Sequence, residues 1–137
     1  MLKGIDSLLT GDLLKILCDM GHGDEIVVAD ANFPAERCGK RVIRLPGTTA
    51  TEVLCAILPL FPLDTYSKPA VIMERTKEDQ AKGPEPEIWS EMQQVLNVPL
   101  DRIGRMDFYD RALKAFAVIQ TGEKRIYGNV ILVKGVI

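Results

Sequence analysis

The chain has 137 residues, and its 17 Lys and Arg against 19 Asp and Glu give a formal net charge of −2 at pH 7. This length suits one domain with an ordinary hydrophobic core, so we expect residues 1–137 to form a single domain. The composition, 47% hydrophobic and 26% charged, is that of a globular protein. The balanced charge argues against a nucleic-acid partner, and no apolar run approaches the roughly 20 residues of a membrane helix.

The three cysteines are widely spaced and include no CxxC pair, which argues against zinc or redox chemistry. Cys18 and Cys55 fall in apolar helical patterns and are predicted to be small core residues, whereas Cys38 falls in a polar loop. The N-terminus has no secretory signal pattern. Together these features predict a cytoplasmic protein.

The first half of the chain alternates helical and strand patterns. Apolar residues at helical spacing predict a helix over residues 10–20, and the β-branched run after it predicts a buried strand over 25–31. A loop through residues 33–39 leads to a second short strand over 41–45. A capping-box pattern at Thr49 then predicts a helix, which a proline ends ten residues later.

The second half continues the alternation. A strand is predicted over 70–74, followed by an exposed, charged loop over 76–87 that contains glycine and proline. A helix over 86–96 follows, with its tryptophan in the core. A short strand over 102–106 and a helix over 108–114, capped by the aspartate before it, complete this part.

Two β-rich runs near the end, 116–119 and 130–133, suit a hairpin joined through residues 121–124, with a crossover connection as the alternative. Strands that alternate with helices of about ten residues predict an α/β fold. We expect a single domain with a mainly parallel or mixed sheet flanked by helices.

The last five residues, Val133-Lys134-Gly135-Val136-Ile137, are mostly apolar. Free ends are usually solvated, so we expect this segment to be buried against the fold or against another subunit. A slightly adhesive terminus is the alternative. The pattern favours a homo-oligomer.

His22 is the only histidine, and it lies between two glycines after the first helix. The glycines leave room for the ring and allow positive φ, and the negative end of the helix favours an imidazolium. Such a group can both give and take protons. A loop histidine that only caps the helix is an equal alternative on these features alone.

Four further residues are candidates for ligand binding. Asp30 ends the apolar strand, and ligands of open α/β sheets bind at the carboxyl ends of strands. Tyr127 and Asn129 combine an aromatic face with several hydrogen-bonding groups, which suits a neutral polyol. Arg105 could anchor a hydroxyl or a carboxylate. For each of them a turn or a solvated surface is the structural alternative.

Several other sites are disfavoured. No glycine-rich phosphate motif and no GxSxG elbow occurs, which argues against nucleotide cofactors and serine-hydrolase chemistry. Asp24 and Glu25 lie close to His22 in the sequence, but zinc usually needs several strong ligands at fixed spacing. We therefore expect neither a metal nor another cofactor.

Three blocks, in order along the chain, carry a resemblance to a known family. They are MGHGDEIVVADANFPA at residues 20–35, FYDRALKAFA at 108–117 and the YGN stretch that begins at residue 127. With the similar opening LKGI, they resemble the L-fucose mutarotases, relatives of the D-ribose pyranases, essentially from end to end. Asp110 stands where the family commonly has Glu, and residues 76–87 resemble nothing diagnostic.

The resemblance implies a cofactor-independent enzyme that interconverts sugar anomers, in a ring-like and often decameric homo-oligomer with sites near subunit boundaries. It further implies that His22 is the proton donor and that Asp30, Arg105, Tyr127 and Asn129 bind the sugar. The glycine after the histidine and the NFP run look like the fucose branch of the family.

The implied isomerisation opens the hemiacetal by acid–base catalysis, and ring closure on the other face of the carbonyl gives the other anomer. His22 is expected to protonate the ring oxygen, and Asp30 and Tyr127 are alternatives for relaying the anomeric proton. A D-ribose pyranase, which exchanges pyranose and furanose rings, and a non-catalytic monosaccharide-binding module are the other hypotheses. A metal-dependent hydrolase is the weakest.

Overall fold

The computed structural model describes residues 1–137 and contains six strands and six α-helices. The strands are β1 (Glu25–Ala29), β2 (Val42–Leu45), β3 (Ala70–Met73), β4 (Asp101–Ile103), β5 (Ala117–Thr121) and β6 (Val130–Val133). The helices are α1 (Gly11–Asp19), α2 (Ala35–Cys38), α3 (Ala50–Ile57), α4 (Lys77–Lys82), α5 (Glu87–Leu96) and α6 (Arg105–Lys114). A single 3-10 turn, Leu58–Leu60, follows α3.

The strands form one mixed sheet in the order β2-β5-β1-β6-β3-β4. β1 pairs in parallel with β5 on one side and antiparallel with β6 on the other, so Val28 lies between Ile119 and Val130. The predicted α/β class and mixed sheet are therefore confirmed. The predicted hairpin of the last two strands is wrong, because β1 lies between β5 and β6 and pairs with both of them.

The signals that start and end the longer helices act as predicted. The Thr10 hydroxyl accepts a hydrogen bond from the backbone N–H of Leu13 at the start of α1. Thr49 and Glu52 form a reciprocal capping box at the start of α3. The proline after α3 turns the chain into the 3-10 turn, since it cannot donate the next helical hydrogen bond.

Three local predictions need correction. Residues 35–38 form the one-turn helix α2 inside the predicted loop. Residues 77–82 form α4 inside the predicted 76–87 loop, because Thr76 accepts a hydrogen bond from the backbone N–H of Asp79 and caps the helix. α6 begins at Arg105, with Gly104 as its N-cap, so the predicted strand ends earlier and Asp107 lies within the first helical turn.

The sheet separates two hydrophobic clusters. Alternate residues of β1 serve both, since Ile26 and Val28 join the larger cluster and Val27 and Ala29 join the smaller one. Helices α1, α3 and α5 cover the larger cluster, and α2 and α6 cover the smaller. Trp89 is buried in the larger cluster, as predicted.

The cysteine predictions are wrong in detail, because Cys18 and Cys55 are exposed while Cys38 is buried. The two helical cysteines lie outside the apolar stripes of α1 and α3, and Cys38 lies on the inner side of α2. Of the last five residues, which were predicted to be buried, Val133 and Gly135 are buried within the chain, whereas Val136 is 57% exposed and Ile137 is fully exposed. No helix is both long and apolar enough to span a bilayer.

Gly122 follows β5 where it approaches the loop after β2. A Cβ there would lie 2.1 Å from the carbonyl oxygen of Pro46, whereas a Cβ at neighbouring Gly47 would meet nothing within 4 Å. We predict that Gly122→Ala lowers the free energy of unfolding by about 1–3 kcal/mol, because backbone atoms must shift. Gly47→Ala is the control and should stay within about 0.5 kcal/mol of wild type. Equal urea midpoints for the two variants would contradict the prediction.

Candidate active site

A cleft of about 230 Å³ opens at the edge of the sheet where β1, β3 and β4 end and β6 begins. Because β6 runs antiparallel to β1 and β3, residues before β6 meet residues that follow the other strands. The side chains most relevant to its chemistry are Asp30, Asp79, Arg105, Tyr109, Tyr127 and Asn129. All four predicted sugar-binding residues therefore line one cleft.

Asp30 and Asn129 form a buried, reciprocal pair at the floor of the cleft. The Asn129 amide nitrogen donates to Asp30 Oδ2 at 2.9 Å, and the Asp30 backbone N–H donates to Asn129 Oδ1 at 2.8 Å. Asp30 Oδ1 accepts from the backbone N–H of Asn32 at 2.9 Å. Burial raises the pKa of Asp30 in spite of these hydrogen bonds. A carboxyl that is costly to ionise thus lies where a ligand can reach it.

Tyr127 is held in an uncommon backbone conformation, with φ at +61°. Its carbonyl accepts a hydrogen bond from Trp89 Nε1 at 3.0 Å. Its hydroxyl donates to Asp79 Oδ2 at 2.5 Å and accepts from the backbone N–H of Thr76 at 3.2 Å. Contacts at both ends therefore fix this ring at the cleft wall. Strained positions of this kind cluster at functional sites.

Asp79 reaches the cleft from α4, within the segment that was predicted to be a loop. The Tyr127 hydroxyl and the Lys82 ammonium, which lies 3.0 Å from Asp79 Oδ1, hold the pKa of Asp79 below its usual range. Sequence reasoning missed this residue. The signal was present, since Thr76 and Asp79 are spaced as in an N-terminal capping pattern.

Arg105 is the first residue of α6, and its exposed side chain lines the cleft. Tyr109 lies one turn further along the same helix and also lines the cleft. The helical start at residue 105 brings the two side chains to the same side, since residues four apart share a helix face.

His22 lies apart from these residues. It precedes β1, whereas Asp30 follows β1, so the strand separates them by about 15 Å at roughly 3.3 Å per residue. The imidazole is 47% exposed and borders a separate, mainly apolar groove of about 690 Å³. Within one chain the structure therefore does not bring His22 to the predicted sugar-binding residues.

The imidazole of His22 has a defined partner. Its Nε2 lies 3.1 Å from Oδ1 of Asp64, whose side chain is only 4% exposed. Asp64 also accepts from the Ser67 hydroxyl at 2.5 Å. The Ser67 hydroxyl first, and then His22, lower the pKa of Asp64 to about 2, so this carboxylate stays ionised. Sequence reasoning missed Asp64, because no pattern marks it 42 residues after the histidine.

The ring of the exposed Tyr66 lies 5.6 Å from that of His22, centroid to centroid. Asp24, which was considered as a metal ligand beside His22, instead accepts a hydrogen bond from the backbone N–H of Gly21 at 2.8 Å. No three His, Cys, Asp or Glu side chains form a group that could hold a metal ion. The histidine thus stands in a setting of one buried carboxylate and one aromatic ring.

Comparison with known proteins adds three findings. A fucose mutarotase from Danio rerio is 48% identical over 145 residues, which cover 100% of this chain and 95% of that protein. The crystal structure of the fucose mutarotase from Streptococcus pneumoniae in complex with L-fucose aligns with a TM-score of 0.92 at 40% identity, over 99% of both chains. Bacillus subtilis RbsD complexed with D-ribose aligns with a TM-score of 0.78 at 27% identity, over 100% of this chain and 99% of that chain.

The sequence also matches the RbsD / FucU transport protein family over residues 3–137. The match, the full-length relatives and the shared six-stranded architecture agree with one another. The chain therefore belongs to the RbsD/FucU family.

Proposed function

We propose that residues 1–137 form a single sugar mutarotase domain, an isomerase that interconverts the α and β anomers of L-fucose without a cofactor. The proposal rests chiefly on the 48% identity, over the whole chain, to a protein named fucose mutarotase. The cleft supports it independently. At about 230 Å³ it is smaller than the usual pockets for drug-sized ligands and suits one monosaccharide.

The sugar is bound by neutral and charged hydrogen-bonding groups of one cleft. Asp30 and Asn129 present a carboxylate and an amide at its floor, and Arg105 presents a guanidinium at its side. Tyr127 adds an aromatic wall and a hydroxyl oxygen. These groups match a polyol, whose hydroxyls both donate and accept.

The catalytic histidine of each site comes from a neighbouring copy of the chain. His22 lies at the opposite edge of the sheet from Asp30, so one chain alone does not assemble the site. The groove beside His22 exposes apolar side chains, among them Leu2 at 60% and Val136 at 57%, which suit a subunit contact. A head-to-tail contact closes into a ring when its rotation divides a full turn. The family resemblance puts that ring at ten subunits.

The reaction needs two proton transfers. His22, oriented by its contact with Asp64, donates a proton to the ring oxygen while the anomeric hydroxyl loses its proton, and the hemiacetal opens to the aldehyde. Rotation about the bond to the carbonyl carbon and closure on the other face reverse both transfers. Acid–base assistance of this kind contributes typically 10²–10⁴-fold, which suffices for a reaction that is already spontaneous in water.

We place the reaction in the cytoplasm. All three cysteines are free thiols, and two of them are exposed, which suits a reducing compartment.

A D-ribose pyranase is the second candidate. The structural similarity to B. subtilis RbsD, whose structure contains D-ribose, favours it. A ribose pyranase would use the same cleft but would exchange five- and six-membered rings. The two functions are distinguished by the sugar whose anomeric signals exchange faster in the presence of the protein.

We predict that the wild-type protein accelerates α/β exchange of L-fucose at equilibrium, measured by anomeric-proton exchange NMR. His22→Ala should lose about 100-fold or more, since it removes the proton donor. A sample without protein gives the spontaneous rate. If wild type matches that rate with fucose but accelerates D-ribose, the pyranase function replaces the mutarotase. If His22→Ala stays fast, the assignment of the acid is wrong.

A complementation experiment tests the shared site. We predict that His22→Ala and Asn129→Ala are each inactive alone but regain about one quarter of wild-type activity when they are refolded together at equal amounts. In a mixed oligomer, a site is restored only where a subunit with an intact cleft contacts a neighbouring subunit with an intact His22. No recovery in mixed oligomers, verified by differently tagged subunits, would show that each chain uses its own histidine.

Asp30 is expected to lower the stability of the fold near neutral pH and to be required for activity. Because burial raises its pKa, its contribution to stability is fully present below the unfolded value of 3.8 and is lost as pH rises through the folded pKa. We predict that Asp30→Asn loses exchange activity at least about 10-fold, since it removes a ligand for sugar hydroxyls. Its free energy of unfolding, relative to wild type, should increase between about pH 4 and pH 7.

Asp110→Asn, at an exposed position of α6, is the matched control. Its stability relative to wild type should change little over the same pH interval. A difference between Asp30→Asn and wild type that does not vary with pH would contradict the burial argument.

A further inference from the structure

We propose that Asp79 is a positioning residue for catalysis: it receives the phenolic proton of Tyr127 and thereby makes Tyr127 the group that takes up the anomeric proton. This inference rests on the proposed mutarotase function and assigns a transfer that the sugar-binding residues leave open. It also gives a role to the 76–87 segment, whose sequence resembles nothing diagnostic.

The hydroxyl of Tyr127 has one proton and two lone pairs. Its proton is directed to Asp79 Oδ2 at 2.5 Å, and one lone pair accepts the backbone N–H of Thr76 at 3.2 Å. One lone pair remains for a ligand in the cleft that Tyr127 lines. A sugar hydroxyl that meets this oxygen must therefore donate to it, which is the direction required for removal of the anomeric proton.

The protein keeps this arrangement in place from several sides. Thr76 begins α4 as its N-cap and contacts Tyr127, so the helix and the ring are fixed together. The Trp89 indole holds the carbonyl of Tyr127, whose positive φ would otherwise be unfavourable. Contacts at the carbonyl and at the hydroxyl therefore hold Tyr127 in the orientation in which its phenol donates to one carboxylate.

Asp79 is better suited to receive the proton than Asp30. The Tyr127 hydroxyl donates to Asp79 Oδ2 and makes no hydrogen bond to Asp30, whose oxygens accept from the backbone of Asn32 and from Asn129. Asp79 is 30% exposed, so solvent can exchange with it, and the ammonium of Lys82, 3.0 Å from Oδ1, keeps it ionised. Asp30 then orients a sugar hydroxyl and does not carry a proton.

The transfers balance in both directions. As the bond between the anomeric carbon and the ring oxygen breaks, its electron pair goes to the ring oxygen, which takes a proton from His22. The anomeric hydroxyl forms the carbonyl and passes its proton to the Tyr127 oxygen, while the phenolic proton moves to Asp79. Ring closure returns a proton from Asp79 through Tyr127 to the carbonyl oxygen and returns one from the new hydroxyl to His22.

Asp79→Asn separates the relay from a structural role, because an asparagine oxygen can still accept the Tyr127 hydrogen bond but is not a base. We predict that the exchange rate of L-fucose at saturation falls about 10- to 100-fold, while the concentration for half-saturation changes by less than about two-fold. Glu78→Gln, at an exposed position of the same helix, removes an equal charge and should stay within about two-fold of wild type.

The double variant Asp79→Asn with Tyr127→Phe tests whether the two residues act as a unit. It should be no slower than Tyr127→Phe alone, because the loss of either residue already interrupts the same proton relay. If Asp79→Asn matches wild type, or if the two losses multiply, the inference is overturned. If wild type itself fails to accelerate exchange of fucose or ribose, the proposed function fails instead.

Discussion

The central constraint in this molecule is the double pairing of β1. This strand is buried, pairs in parallel with β5 and antiparallel with β6, and supplies residues to both hydrophobic clusters. Its two ends therefore lie at opposite edges of the sheet and cannot approach each other. His22 precedes the strand and Asp30 follows it, so the same pairing that stabilises the core keeps the proposed proton donor and the proposed binding cleft apart within one chain. This separation is the reason for proposing a site shared between subunits.

Three aspartates illustrate how local environment divides chemical roles. Burial raises the pKa of Asp30, while the hydroxyls of Ser67 and Tyr127 lower the pKa values of Asp64 and Asp79. Asp64 is fixed by its neighbours and contacts the imidazole, whereas Asp79 is partly exposed and contacts a phenol. Identical side chains thus acquire different proposed roles, because their hydrogen-bond partners and access to solvent differ.

Much of the fold could be predicted because local signals and burial agreed. The helices that begin at Thr10 and Thr49 have caps that the sequence displays, and the buried strands are short β-branched runs. The errors arose where another part of the chain decided the outcome. Nothing within residues 116–133 indicates that β1 inserts between the last two strands. Likewise, periodicity placed Cys18 and Cys55 near apolar stripes, but the neighbours that cover those stripes leave both thiols outside.

Residue types and their order were enough to predict the α/β class and the family resemblance. They also marked the candidate residues His22, Asp30, Arg105, Tyr127 and Asn129. Which of these residues lie close together depends on the pairing of strands that are distant in the sequence. Four converge because β6 runs against β1 and β3, and His22 is left at the other edge. Asp64 and Asp79 gained their partners in the same way, across 42 and 48 residues of chain, since hydrogen bonds at such separations exist only once the strands have paired.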